Sequence, residues 1–147
     1  MSNHYKHTQP GYVILGSMSL SCLIIGVITL TMEANLILVS VSLIIIIAAI
    51  LFASLTIEIK DNVLAWHFGP GLIRKRVQVA DIEQAEPVRN SWFYGWGIRL
   101  TPYGWLYNVS GLEAVQIRLK NGKTFRLGTD EPQRLCEAIN QALQMGL

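Results

Sequence analysis

The chain has 147 residues, 51% of them hydrophobic, with 12 Lys/Arg against 10 Asp/Glu for a net charge of +2. That length accommodates one modest globular domain beside a membrane segment, and so mild a charge excludes the strongly basic footprint of a nucleic-acid binder. Two cysteines, Cys22 and Cys136, supply neither a disulfide framework nor a zinc spacing and read as small packing residues.

Positions 1–10 read as a short, mobile N-terminal cytoplasmic tail carrying His4, Lys6 and His7. Two apolar spans follow, 11–32 and 34–55, and Glu33 between them is the only charged side chain from Tyr12 to Ile57. A helix crossing the hydrocarbon core needs roughly 20 apolar residues, so the pair predicts a transmembrane hairpin. The first span is too long for the roughly 7–15 apolar residues of a signal peptide, and no Ala-x-Ala-like site follows it, so it is expected to be retained. Lys6 precedes the hairpin, Lys60 and Arg74-Lys75-Arg76 follow it, and the connection lacks Lys and Arg. The positive-inside bias therefore predicts a multi-pass protein with both termini cytoplasmic. Small residues four apart (Ser17 and Ser21, Cys22 and Gly26, Ala49 and Ala53) suit close helix packing in lipid.

Positions 56–147 predict a cytoplasmic domain with no linker before it. Thr56-Ile57-Glu58-Ile59-Lys60 already alternates with the period of a strand, and Asp61-Asn62 is a turn signal. Leu64, Trp66 and Phe68 alternate next, with His67 pointing to solvent, and Gly69-Pro70-Gly71 breaks the chain. On the strand after it, Ile73, Lys75, Val77 and Val79 share one face, and Arg74, Arg76 and Gln78 the other. A weaker strand over 82–88 is expected to end near Pro87, which cannot donate to a ladder. Positions 92–107 hold seven aromatics among Gly95, Gly97 and Gly104, with a short strand over 98–100. Val115, Ile117 and Leu119 then face inward, Asn121-Gly122 predicts a type I′ hairpin turn, and Phe125 and Leu127 return. The C-terminal helix is expected to start at an Asp130 N-cap with Gln133 three residues on, and to bury Leu135, Ile139, Ala142 and Leu143. The fold class is α+β: a two-helix hairpin, then antiparallel strands closed by one helix.

The strands-then-helix pattern, with Gly95-Trp96-Gly97-Ile98-Arg99, Gly104-Trp105-Leu106-Tyr107-Asn108-Val109-Ser110-Gly111, Ala114-Val115-Gln116-Ile117 and Gly128-Thr129-Asp130-Glu131-Pro132, resembles a family. It is similar to bacterial membrane proteins that carry a pleckstrin-homology-like (PH-like) domain after two N-terminal helices. The resemblance spans about 56–145 in fold and 95–132 in motif. It implies a seven-stranded, partly closed barrel or sandwich plugged by the last helix, and a binding or scaffolding module in the inner membrane rather than an enzyme.

Three groups of residues are candidates for binding. Arg74, Lys75 and Arg76 suit anionic lipid headgroups, or simply a solvated, charge-protected strand. Trp92, Trp96 and Trp105 suit the bilayer interface, a groove for a protein partner, or the core. Arg99 is placed to stack on a neighbouring ring. No nucleophile elbow, phosphate loop or HExxH stretch is present, three scattered histidines make no metal site, and no cofactor is implied. The sequon at Asn108 is idle in a cytoplasmic domain. The reading is a non-enzymatic membrane protein that binds a protein partner or anionic lipid. The alternative is a small membrane enzyme, or its accessory subunit, with a pocket in 92–107.

Overall fold

The structure, a computed structural model, describes residues 4–33 and 35–146. Its first element corrects the expected tail: Tyr5–Pro10 is a strand, β1. It leads through Gly11 into α1, Tyr12–Thr31, and the chain returns as α2, Leu36–Leu51. Asn35 caps α2, its side-chain oxygen accepting from the Ile37 N–H at 2.7 Å. The chain then re-enters the β-domain as β2, Ser54–Lys60, which lies antiparallel to β1 from Tyr5 against Ile59 to Pro10 against Ser54. The helix pair is thus an insertion between two neighbouring strands, and it leaves and rejoins the sheet at one place.

The second helix is shorter than the expected span of 34–55. α1 is long and apolar enough to cross a membrane, whereas α2 has 16 residues, or about 24 Å. Phe52 ends α2, and Leu55 belongs to β2, where it is buried. Hydropathy alone could not separate these residues from the helix, because a core strand and a lipid-facing helix are equally apolar. Ala34 lies outside the described residues.

β3, Val63–Phe68, and β4, Ile73–Gln78, complete a four-stranded antiparallel sheet in the order β1-β2-β3-β4. The turn joining β2 to β3 has positive φ at both Asp61 and Asn62, the requirement of a type I′ turn. After the 3-10 turn Val79–Asp81 come β5, Ile82–Arg89, the 3-10 turn Trp92–Tyr94, β6, Gly97–Thr101, β7, Gly104–Asn108, β8, Glu113–Leu119, and β9, Thr124–Gly128. These five strands form a second sheet in the order β5-β8-β9-β7-β6. β5 runs through Pro87 rather than ending there, and the missing N–H is tolerated because β5 lies at the sheet edge. β7 and β9 pair in parallel, from Trp105 against Phe125 to Tyr107 against Leu127, so the domain is not wholly antiparallel. Among the described residues the nine strands lie in two separate sheets and close no barrel.

The hairpin at Asn121-Gly122 forms with a different turn. Only Gly122 has positive φ, the Gly122 N–H donates to Leu119 O at 2.9 Å, and Leu119 N–H donates to Lys123 O. That is a three-residue loop with a glycine bulge, held by the Asn121 side chain accepting from Lys123 N–H at 2.9 Å. α3, Pro132–Met145, starts one residue later than expected. Glu131 is its N-cap without a side-chain capping bond, and Asp130 is engaged by His7 instead.

The core sits between the sheets and under α3. Leu64, Trp66 and Phe68 of β3, Val115 and Ile117 of β8, and Leu135 and Ile139 of α3 are all buried in it. Trp66 stacks on Phe125 with ring centroids 5.0 Å apart and meets Tyr107 edge-on at 5.3 Å, joining one sheet to the other. Cys136 on α3 donates to Ala85 O of β5 at 3.1 Å, and burial raises its thiol pKa. Ile14 of α1 also belongs to this core, with Met18 packed against it, so the helix pair is rooted in the domain.

Two glycines separate conformational strain from steric overlap. Both Gly104 and Gly122 have positive φ, but a Cβ at Gly122 meets open space while one at Gly104 would lie 2.0 Å from Thr124 O. Gly122→Ala is expected to cost about 1 kcal/mol from its backbone conformation alone. Gly104→Ala should cost severalfold more, because β7 must move off the start of β9. Denaturation midpoints of the detergent-solubilised chain measure both, and equal midpoints would contradict so close an approach of β7 to Thr124.

Candidate binding surface

The four-stranded sheet has one face on the core and one uncovered. Alternation puts Tyr5, Gln9, Ile57, Leu64, Trp66, Ile73 and Val77 on the inner side and the opposite set on the outer. Cross-strand register then fixes the rows on the outer face. Pro10 and Ser54 lie next to the helices; Thr8, Thr56, His67 and Arg74 form the next row; Lys6, Glu58, Ala65 and Arg76 the one after; Lys60, Val63 and Gln78 lie farthest. Small side chains at Ala65 and Val63 leave an open depression of about 790 Å³, rimmed by Lys60, Arg74, Arg76 and Glu58. The His67 ring belongs to this face, and its Nδ1 is buried with no partner among the described residues.

The charge on this face is one-sided. Lys6, Lys60, Arg74 and Arg76 are exposed, and Glu58 and Asp61 are the acidic side chains beside them. Glu58 is itself occupied: His4 Nε2 lies 2.8 Å from Oε1, and this hydrogen bond, with Lys6 and Lys60 nearby, holds the carboxyl below its ordinary range. The sequence presents Lys6 and Lys60 only as charges flanking the helix pair, because the first lies in an apparent tail and the second beside a turn; strand register brings them onto this face. The signal that could have found them is the alternation of Lys6, Thr8 and Pro10 against Tyr5, His7 and Gln9.

β1 is fixed from its inner side by polar contacts. The Tyr5 hydroxyl donates to Glu131 Oε1 at 2.7 Å, and burial, reinforced by that carboxylate, raises the phenol pKa. His7 Nε2 meets Asp130, and Nδ1 lies 3.4 Å from Glu131 Oε1. The Gln9 side chain donates to Ser110 O at 3.2 Å.

The residues singled out by sequence do not form one site. Arg74, Lys75 and Arg76 all line the depression, although alternation puts Arg74 and Arg76 on the outer face and Lys75 at the sheet edge in register with Trp66. The aromatics belong to the second sheet and divide. Tyr107 is core, and burial raises its hydroxyl pKa; Trp92, Phe93 and Trp105 are exposed. Trp96 is half-buried against the base of α1, with Nε1 donating to Gly111 O at 2.9 Å. Arg99 does not stack on a ring: its Nε donates to Trp96 O at 3.0 Å. Asn108, of the apparent sequon, is buried, donating to Gly111 O and accepting from Ser110 N–H.

The ring-stacked cation is Arg126, 4.0 Å over Tyr103. Arg126 is buried on β9, and desolvation lowers its pKa. Nε and Nη2 both donate to Gln116 Oε1, at 3.0 and 2.9 Å, and Nη1 donates to Asn90 Oδ1 at 3.0 Å. Asn90 lies two residues before the aromatic turn, so this fork ties the approach to the turn to the sheet.

Among the described residues no cluster of three or more His, Cys, Asp or Glu side chains could hold a metal ion. No protein-family model and no curated protein matches the chain.

The Arg126 fork yields a test. Arg126→Ala strands Gln116 Oε1 and Asn90 Oδ1 and should cost about 2 kcal/mol or more. Arg126→Lys should recover less than half of the loss, because an ammonium cannot reach both partners in fork geometry. Thermal midpoints of the two variants decide, and full rescue by lysine would rule out the fork as the source of stability.

Proposed function

We propose that the protein is a membrane-anchored, non-enzymatic binding module of the bacterial inner (cytoplasmic) membrane. In this reading α1 and α2 lie in the bilayer and a PH-like domain stands on the cytoplasmic side. One observation carries it: an apolar helix 20 residues long, little of it buried by the rest of the chain, is rooted between two paired strands. Apolar surface of that extent requires a non-aqueous partner. Because β1 and β2 are neighbours, α2 must return to the side from which α1 departs. Removal of α1 as a leader would also take β1 from the sheet. The orientation rests on Lys6, Lys60 and Arg74-Lys75-Arg76 flanking the pair on the domain side. Two sheets enclosing a core closed by a C-terminal helix support the PH-like assignment, although nine strands and a parallel β7–β9 pair depart from the seven antiparallel strands expected.

The ligand class follows from the outer face. Successive rows lie about 7 Å apart along the strands, similar to the Debye length of about 8 Å at physiological salt. Arg74 is the outer-face cation nearest the helices and Lys60 lies two rows beyond it, more than a Debye length away, so a flat lipid surface beside the helices engages only part of this face. The whole face suits an acidic segment of a protein partner laid along the strands. The enzyme alternative receives little support, since Trp92, Phe93 and Trp105 are exposed, and the cation against Tyr103, Arg126, has its fork engaged by Gln116 and Asn90.

Two readouts on the full-length protein test this reading. It should stay in the membrane pellet through alkaline carbonate and be released by detergent; release by carbonate alone overturns the anchor. In vesicles of neutral lipid it should bind an oligo-glutamate peptide in a salt-sensitive manner. Binding should fall at least about tenfold in the Lys60→Glu, Arg76→Glu double variant, the size expected for reversing two charges facing an acidic ligand. Binding indifferent to that reversal removes the outer face as the site.

A further inference from the structure

We infer that two loop tips seat the β-domain in the lipid interface: Leu72 on the β3–β4 loop, and Trp92 with Phe93 on the aromatic turn. Each tip is backed by an arginine placed to meet lipid phosphate. This rests on the reading that α1 and α2 lie in the bilayer.

Helix lengths supply the first argument. α1 spans about 30 Å, the thickness of the hydrocarbon core, but α2 spans only about 24 Å. Mismatch of this kind is met by thinning the bilayer or by drawing flanking groups into the interface. Whatever surrounds the base of α2 therefore lies at headgroup depth or below.

The surroundings of that base supply the second. A Cβ on Gly69 would fall 2.5 Å from Ile50 O and 2.8 Å from Leu51 O, so the β3–β4 loop lies directly on the last turn of α2. The same loop exposes 79% of Leu72. From the second sheet, Trp96 and Ile98 share a cleft of about 390 Å³ with Val13, Ile14 and Met18. That contact runs along the first two turns of α1, about 9 Å of helix. A bilayer that holds all of α1 brings the start of β6, and the turn just before it, to interfacial depth.

Chemistry supplies the third. Trp92 is 73% exposed and Phe93 67%, and their rings pack on each other rather than on the core. Tyr12, at the first position of α1, is equally exposed. Aromatic rings at a helix end are the usual occupants of the membrane–water boundary. Behind each tip an arginine folds onto its own loop: Arg74 Nε donates to Gly71 O at 2.9 Å, and Arg99 Nε to Trp96 O at 3.0 Å. Neither forms a salt bridge among the described residues, which leaves both forks turned to anionic oxygens from outside the protein.

The test uses the full chain in vesicles of phosphatidylcholine and phosphatidylglycerol, with and without bromine on the upper acyl chain. The difference between wild type and Trp92→Phe isolates Trp92 from the three other tryptophans. Its emission should be quenched at least about twofold by the brominated lipid, as expected of an interfacial ring. A tryptophan placed by Leu72→Trp in the Trp92→Phe background should be quenched alike. Alkylation of Cys22, midway along α1 and read by peptide mass, reports insertion separately. Cys22 protected until detergent is added, with Trp92 unquenched and open to aqueous acrylamide, overturns the interfacial seat and leaves the membrane anchor standing. Cys22 open to the reagent in intact vesicles overturns both.

Discussion

The domain depends on the contact in which Trp66 of one sheet lies against Phe125 and Tyr107 of the other. Two twisted sheets with exposed inner faces have no stability apart from each other, and a single large ring bridging them fixes both separation and register. Once Trp66 is held, β3 must alternate inward at Leu64 and Phe68. Its opposite face is thereby turned outward with Ala65 and His67. The depression on that outer face is a consequence of the core, and its cations come from whichever neighbours the register brings alongside.

The helix pair imposes a second constraint. It is hung from adjacent strands rather than from a flexible tether, and Ile14 is part of the domain's own core. Orientation of the β-domain relative to α1 is therefore built in. In the binding role proposed above, a domain attached in this way needs little energy from a ligand to become oriented, and the outer cations would contribute to selection more than to recruitment.

Much of this architecture was legible from periodicity. The alternation of Leu64, Trp66 and Phe68, the β8–β9 hairpin and the apolar stripe of α3 all follow from apolar residues that meet one core. β1 was not legible because its inner side chains, Tyr5, His7 and Gln9, show no apolar alternation and are held by Glu131, Asp130 and a backbone carbonyl, with Tyr5 alone of the three also packing on the core. The end of α2 was hidden because Phe52, which meets Phe68 edge-on at 5.1 Å, and buried Leu55 carry the same hydropathy as lipid-facing residues. Of the candidate surface, Arg74 and Arg76 were visible as a pair, but Lys6 and Lys60 join them only through strand register. Arg126 resembled any surface arginine until its partners on β8 and at Asn90 were known.

The pairing of β1 with β2 also sets an order of events during synthesis. β1 leaves the ribosome before either helix, and its partner follows only after both helices have been made. A disordered connection of more than 40 residues would impose a considerable closure entropy on that pairing. Folding of α1 and α2 into a compact hairpin brings Pro10 and Ser54 together beforehand and removes most of it. Maturation of the sheet is thus timed by the hairpin, and the β-domain can complete itself only where that hairpin has found its place.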